Sequence, residues 1–192
     1  MEKISKACSF FGHRNTTLTQ MQKSKLQDVI EDLIVNHGVE RFLLGSRSSF
    51  NEICHAIVTD LRNKYPTVKR YAYTCPSEAC FLENMREYWE DVFSSYHKRK
   101  ITFLGVEKEI EHKTKYTAGC GSYVERNQAM IDDSDYCIFY YNEKYLPQRR
   151  KISPKYASDY QPKSGTALAY QYANRRLRTG KILGIINLFE KT

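Results

Sequence analysis

Residues Ala7-Cys8-Ser9-Phe10-Phe11-Gly12-His13-Arg14 decide how this chain is read. They form a short apolar strand that stops at a glycine and then presents a histidine and an arginine. In α/β proteins the ligand crevice lies at the carboxyl ends of parallel strands, where backbone N–H groups and helix N-termini face an anion. A strand, a glycine and two polar or cationic side chains suit that place. Three more stretches repeat the pattern: Phe42-Leu43-Leu44-Gly45-Ser46-Arg47, Ile138-Phe139-Tyr140-Tyr141-Asn142 and Lys163-Ser164-Gly165-Thr166.

Outward from the first strand (residues 7–12) comes a polar stretch, 15–25. Leu26, Val29, Ile30, Leu33 and Ile34 then recur at helical spacing, and Gly38 closes that helix. A strand over 41–45 leads to a second helix. Ser48 or Ser49 is its candidate N-cap, and Glu52 stands three residues after Ser49 as in a capping box. That helix carries Ile53, Ile57 and Leu61 and stops before Pro66. Strand 68–74 follows. Residues 81–96 are expected to be helical, with Trp89 and Phe93 four apart. A fourth strand is expected over 101–106, a charged loop or lid over 107–117, a short helix over 123–131 and a strand over 136–141. A long loop over 142–163 holds Pro147, Pro154 and Pro162. Ser164 opens the last helix, Gly180 ends it, and 182–189 is the last strand. Strands and helices alternate, which predicts an α/β fold: a mostly parallel sheet with helices on both faces and right-handed crossovers.

At 192 residues the chain is most simply one domain, spanning 1–192. The 41% apolar and 27% charged composition is that of a soluble globular protein. A net charge of +8 suits an anionic partner. The positive residues are scattered rather than gathered in one run, so nucleic acid is not the favoured partner. The 15 tyrosines serve half-buried packing or base stacking. Cys8, Cys54, Cys75, Cys80, Cys120 and Cys137 include no C-x-x-C and no zinc-finger spacing, so no metal is expected. Residues 1–6 lack the apolar core of a secretory signal, and no apolar run approaches the roughly 20 residues of a membrane span. The reducing cytoplasm is the expected compartment.

Each candidate ligand residue carries a plain alternative. Gly12 lets the backbone approach a ligand closely. Arg14 offers a planar fork to phosphate. His13 is a hydrogen-bonding partner or an acid/base, unless both side chains are merely solvated on a turn. Gly45, Ser46 and the serines after them cradle an oxyanion or only cap a helix. Glu52 is a capping carboxylate, a ribose contact or a base. Arg126 is a solvated helix residue or a ligand contact. Asp132, Asp133 and Asp135 fit turn chemistry better than a metal cluster. Ser164, Gly165 and Thr166 open a helix with free N–H groups and a hydroxyl for phosphate. There is no Walker A loop, no G-x-G-x-x-G and no G-x-S-x-G elbow.

These pieces together resemble the SLOG superfamily, which joins DprA-type and LOG-type Rossmann-like domains, and most closely its YpsA-like branch. The matching segments are Phe11-Gly12-His13-Arg14, Gly45-Ser46 with Phe50-Asn51-Glu52, Tyr123-Val124-Glu125-Arg126-Asn127-Gln128-Ala129-Met130-Ile131 before Asp135, and Ser164-Gly165-Thr166. They span nearly the whole chain. The resemblance implies a Rossmann-like sheet binding a nucleotide or nucleotide-derived ligand, often in a sensing role. It also implies phosphate contacts at Gly165 and Thr166 and a ligand-facing Arg126. LOG-type members are phosphoribohydrolases with the motif P-G-G-x-G-T-x-x-E, whose Glu takes part in catalysis. Here the segment is Gln161-Pro162-Lys163-Ser164-Gly165-Thr166-Ala167-Leu168-Ala169, without the first glycines and with Ala169 in the carboxylate's place. An alanine transfers no proton.

The expectation is therefore a nucleotide-binding or sensing protein that needs no cofactor. Arg14, Arg126, Gly165 and Thr166 would hold phosphate, and Gly12, Gly45 and Ser46 would shape the crevice. The alternative from another class is an N-glycosidase or nucleotide hydrolase using Glu52 and His13 as acid and base. Nucleic-acid binding through the basic loop 149–155 is a third possibility. A homodimer is a reasonable assembly if a helix leaves an apolar face exposed.

Overall fold

The computed structural model describes residues 5–45, 48–74, 91–94, 100–103, 106–109, 120–147 and 163–189. In chain order the elements are β1 (Lys6–Gly12), α1 (Gln20–Val35), β2 (Val39–Gly45), α2 (Ser49–Arg62), β3 (Lys69–Thr74), β4 (Asp91–Ser94), β5 (Lys100–Phe103), β6 (Val106–Glu109), α3 (Cys120–Asp132), β7 (Tyr136–Tyr140), α4 (Gly165–Arg178) and β8 (Gly184–Asn187). Six strands make one sheet in the order β4-β3-β2-β1-β7-β8, and every pairing in it is parallel.

Strand β1 is central, and its side chains alternate between two cores, as a pleated strand requires. Cys8 and Phe10 join Phe42, Leu44 and Ile138 in one core, beneath Leu26, Ile30 and Leu33 of α1 and Phe50, Cys54, Val58 and Leu61 of α2. Ala7 and Phe11 join Leu43, Cys137 and Phe139 in the other, beneath Ala129, Met130 and Ile131 of α3 and Ala169 and Ala173 of α4. Phe11 stacks on Phe139, its register partner in β7, at 4.9 Å. Helices cover both faces because the chain runs outward from β1 through β2 and β3, then returns to build β7 and β8 on the other side. A single crossover hand places the helices of the two halves on opposite faces.

The fold is therefore the expected Rossmann-like α/β sheet, with three local corrections. Residues 91–94 of the expected 81–96 helix are strand β4, paired with β3 in the register Tyr71↔Asp91 to Thr74↔Ser94. The open edge of β3 offers a whole ladder to pair with, and that outweighs a local helical spacing. Residues 75–90 and 95–99 lie outside the described residues. The expected fourth strand of the main sheet, 101–106, instead contributes to a separate antiparallel pair, β5 with β6. Only Leu104 and Gly105 separate the two strands, and a two-residue connection containing glycine favours local hairpin pairing. The expected loop 107–117 thus begins as strand; residues 110–117 lie outside the described residues.

The third correction concerns helix starts. Helix α1 begins inside the polar stretch, at Gln20. Thr19 caps it, accepting from the Gln22 N–H, while Gln22 Oε1 accepts from the Thr19 N–H at 2.9 Å. This T-x-x-Q is a capping-box signature that outranks low hydrophobicity. Helix α2 is capped by Ser48, and its partner three residues on is Asn51, not Glu52. Gly38 and Gly180 both adopt left-handed backbone, φ 68° and 67°, after α1 and α4.

Gly12 marks where α2 sits on β1. A Cβ on Gly12 would lie 2.5 Å from both Cβ and Cγ of Phe50. Gly12→Ala is expected to cost about 1–3 kcal/mol, read as a lower urea midpoint at unchanged slope. Phe50→Ala should not restore it, since the Phe50 Cβ is itself in the way. An unchanged midpoint in Gly12→Ala would contradict this close approach.

Candidate functional site

The chain reverses direction across the sheet between β1 and β7. Their C-terminal ends, at Gly12 and Tyr140, lie side by side in register. Such a switch point opens a crevice in doubly wound sheets. The loop after β1 is tied to the start of α2 through Ser49. The Ser49 N–H donates to the Arg14 carbonyl at 3.0 Å, and its Oγ accepts from the Thr16 N–H at 2.7 Å. Thr16 Oγ1 in turn donates to the His13 carbonyl at 2.8 Å. This leaves the Arg14 side chain exposed at the mouth and turns His13 inward, where it is 6% exposed.

The His13 ring faces the end of β7. Its Nε2 accepts from the Asn142 N–H at 3.2 Å, and Tyr145 stacks on the imidazole at 3.9 Å. Acceptance at Nε2 puts the proton of the neutral ring on Nδ1. Nδ1 is buried and has no partner among the described residues. Burial pushes the imidazole below its ordinary pKa. This favours a neutral hydrogen-bond donor over a charged phosphate clamp.

The end of β2 is held by Asn51, whose Oδ1 accepts from the Gly45 N–H at 3.0 Å while its Nδ2 donates to Ser48 Oγ at 2.8 Å. Arg126, buried on α3, lies against Gly45: a Cβ there would be 3.0 Å from the guanidinium carbon. Its Nη2 and Nε donate to Asn127 Oδ1 at 3.0 and 3.3 Å, and the guanidinium lies 5.3 Å from the Tyr123 ring centroid. Gly45 therefore makes room for an arginine rather than for a ligand backbone.

Ser164 caps α4, accepting from the Ala167 N–H at 3.0 Å. The N–H groups of Gly165 and Thr166 have no protein acceptor among the described residues, and a Cβ on Gly165 would meet open space. Thr166 is buried on the same turn. Free N–H groups at a helix start carry partial positive charge.

Of the expected site residues, the structure brings Gly45 to Arg126, Gly12 to the α2 start and His13 to the β7 end. Glu52 is exposed on the first turn of α2. Ser46 lies outside the described residues. Sequence reasoning missed Ser49 and Asn51 as the clamps of two loops; Ser48-x-x-Asn51, a cap with a side-chain partner at the third position, was the available signal. The acidic run is structural. Asp135 Oδ2 accepts from the Ala7 N–H at 2.8 Å, Asp133 Oδ2 from the Tyr73 hydroxyl at 2.7 Å, and Asp132 from Tyr172 and Arg176. No metal-binding group of carboxylates, histidines or cysteines occurs among the described residues. Cys8, Cys54 and Cys137 are buried free thiols whose pKa burial pushes up, to about 12 for Cys137. Such thiols are inert. No helix among the described residues is long and apolar enough to cross a membrane.

Fold and crevice define a Rossmann-like α/β protein with its switch point between β1 and β7. The family model YpsA, described as the YspA SLOG family, matches residues 6–173, and the chain belongs to that family. The match runs from β1 into α4 and so includes every element around the crevice. A search of curated proteins found no match.

The depressed His13 pKa sets a pH dependence. The unfolded chain takes up a proton as pH falls below about 6.5, while the folded imidazole resists it, so the folded state loses stability there. Urea midpoints are expected to fall from pH 7 to 5, and His13→Gln to fall less over that window. Identical pH profiles for the two proteins would refute the buried neutral imidazole.

Proposed function

We propose that this protein binds a nucleotide or a nucleotide-derived small molecule at the C-terminal edge of its sheet, in a sensing role. The observation that carries this reading is the set of unused donors on this edge of the sheet. These are the N–H groups of Gly165 and Thr166 at the start of α4 and the buried His13 Nδ1 on the loop after β1, a loop that also carries the exposed Arg14. Donors of this kind, on a positive helix end, match a phosphate joined to a polar sugar. In this reading Arg14, Arg126, Gly165 and Thr166 take phosphate, with Arg126 held rigid by Asn127. Gly12 and Gly45 let Phe50 and Arg126 close in on the crevice. Membership of the SLOG family supports the same ligand class.

Binding is preferred to hydrolysis on chemical grounds. Ala169, in the position of the LOG-type carboxylate, is 2% exposed and packed in the core of the α4 face. It supplies neither a proton donor nor a stabiliser for an oxocarbenium-like charge.

The test is thermal shift with AMP, ADP-ribose and a dinucleotide, followed by chromatography of the recovered ligand. At a hundredfold excess over Kd, binding adds about 2.7 kcal/mol, which raises Tm by roughly 5–11 °C for a chain of this size. Arg14→Ala, exposed and so harmless to folding, should abolish the shift. An unshifted Tm with every ligand, or an undiminished shift in folded Arg14→Ala, overturns the reading. A ligand recovered cleaved moves the assignment to a hydrolase.

A further inference from the structure

A ligand held by its phosphate end needs a second surface for the rest of the molecule. Between Tyr170 of α4 and the residues after β7 lies a cleft of about 210 Å³, lined by Tyr141, Tyr170, Phe189, Asn187, Glu143 and Lys144. Whole small-molecule sites occupy about 300–1,000 Å³. This one has room for part of a ligand, such as one planar ring system.

Its floor is aromatic and firmly set. Tyr141 and Tyr170 pack at 4.7 Å between ring centroids, and Tyr170 rests edge-on against Phe139 at 5.1 Å. The wall is equally fixed. Asn187 Oδ1 accepts from the Tyr141 N–H at 3.0 Å, and its Nδ2 donates to the Tyr141 carbonyl at 3.0 Å. Asn187 Oδ1 also accepts from the Phe189 N–H at 3.3 Å. With its amide spent on backbone, Asn187 has little capacity left to read the edge of a base.

Helix α4 joins this cleft to the anion-facing end. Thr166 and Tyr170 are four residues apart, on one helix face and about 6 Å apart along the axis. A phosphate at the helix start and a ring against Tyr170 are then two ends of one small molecule. Tyr141 links the cleft to the switch point as well, with its ring centroid 6.1 Å from that of His13.

We infer that the Tyr141–Tyr170 cleft is the ring subsite of the ligand, and that it selects for an aromatic heterocycle by stacking rather than by hydrogen bonds to the base edge. The inference rests on the nucleotide-binding reading above. It predicts a protein tolerant of base identity and intolerant of base loss. Purine nucleotides gain more stacking area than pyrimidines, and both exceed a sugar phosphate without a base.

The experiment is calorimetric titration of the full chain with AMP, UMP and ribose 5-phosphate, repeated with Tyr170→Leu and Tyr141→Leu. Circular dichroism and Tm report whether each variant is folded. Stacking of a base on an aromatic side chain corresponds to roughly 5- to 150-fold in affinity. The expected result is AMP tightest, UMP within about tenfold, and ribose 5-phosphate weaker by that stacking factor. In a folded tyrosine variant the advantage of AMP over ribose 5-phosphate should collapse. If both leucine variants unfold, Tyr141→Phe and Tyr170→Phe must keep the wild-type order, and loss of the order there counts against stacking. An AMP preference undiminished in folded Tyr170→Leu and Tyr141→Leu overturns the ring subsite and leaves nucleotide binding standing. Binding of none of the three probes overturns both readings.

Discussion

Everything at the functional edge depends on how closely the first turn of α2 sits on the end of β1. There is no space for a Cβ on Gly12 because the Phe50 side chain occupies it. That approach brings Ser49 against the loop after β1 and Asn51 against the last amide of β2. Two loops that would otherwise move independently are tied to one helix start. A helix turn is rigid, so the backbone of Arg14 and Thr16 on one side and of Gly45 on the other is fixed by it. Pre-organisation of this kind spares a binding site the entropy of ordering its loops.

The polar residues differ in whether their hydrogen-bonding capacity is spent within the fold. Asn51, Asn187 and the aspartates of 132–135 have partners that account for them, and they hold elements together. His13 Nδ1 and the first amides of α4 do not. A buried donor without an acceptor is costly in a finished fold. His13 Nδ1 lies just past the end of β1, beside the switch point. Burial also pushes the His13 imidazole below its ordinary pKa, so the ring is neutral and carries its proton on Nδ1.

Much of this arrangement was legible in the chain. The apolar run 7–11 ending in Gly-His-Arg identified the central strand, and the alternation of strands and helices identified the parallel sheet. Ser164-Gly165-Thr166 correctly marked a helix start. Reading failed where the deciding partner was distant. Trp89 and Phe93 are four apart, yet 91–94 is a strand because β3 presents an open edge. The 101–106 stretch is apolar enough for the main sheet, yet the two-residue link at Leu104-Gly105 favours its neighbour 106–109. Of the two candidate caps, Ser48 is the one in use, so the residue three on is Asn51, which holds the Gly45 N–H and Ser48 Oγ, while Glu52 stays exposed.

The sequence by itself determined the fold class and the family, because hydrophobic periodicity and glycine placement are local properties that survive without coordinates. It also determined that no carboxylate stands at position 169. Tertiary structure alone decided the use of each candidate. Gly12 and Gly45 are small because Phe50 and Arg126 need the space, and Tyr141 and Tyr170 meet only because β7 and α4 pack together. Those are contacts between residues far apart in the chain, and proximity of that kind is created by the packing of the sheet and helices, not by any local pattern.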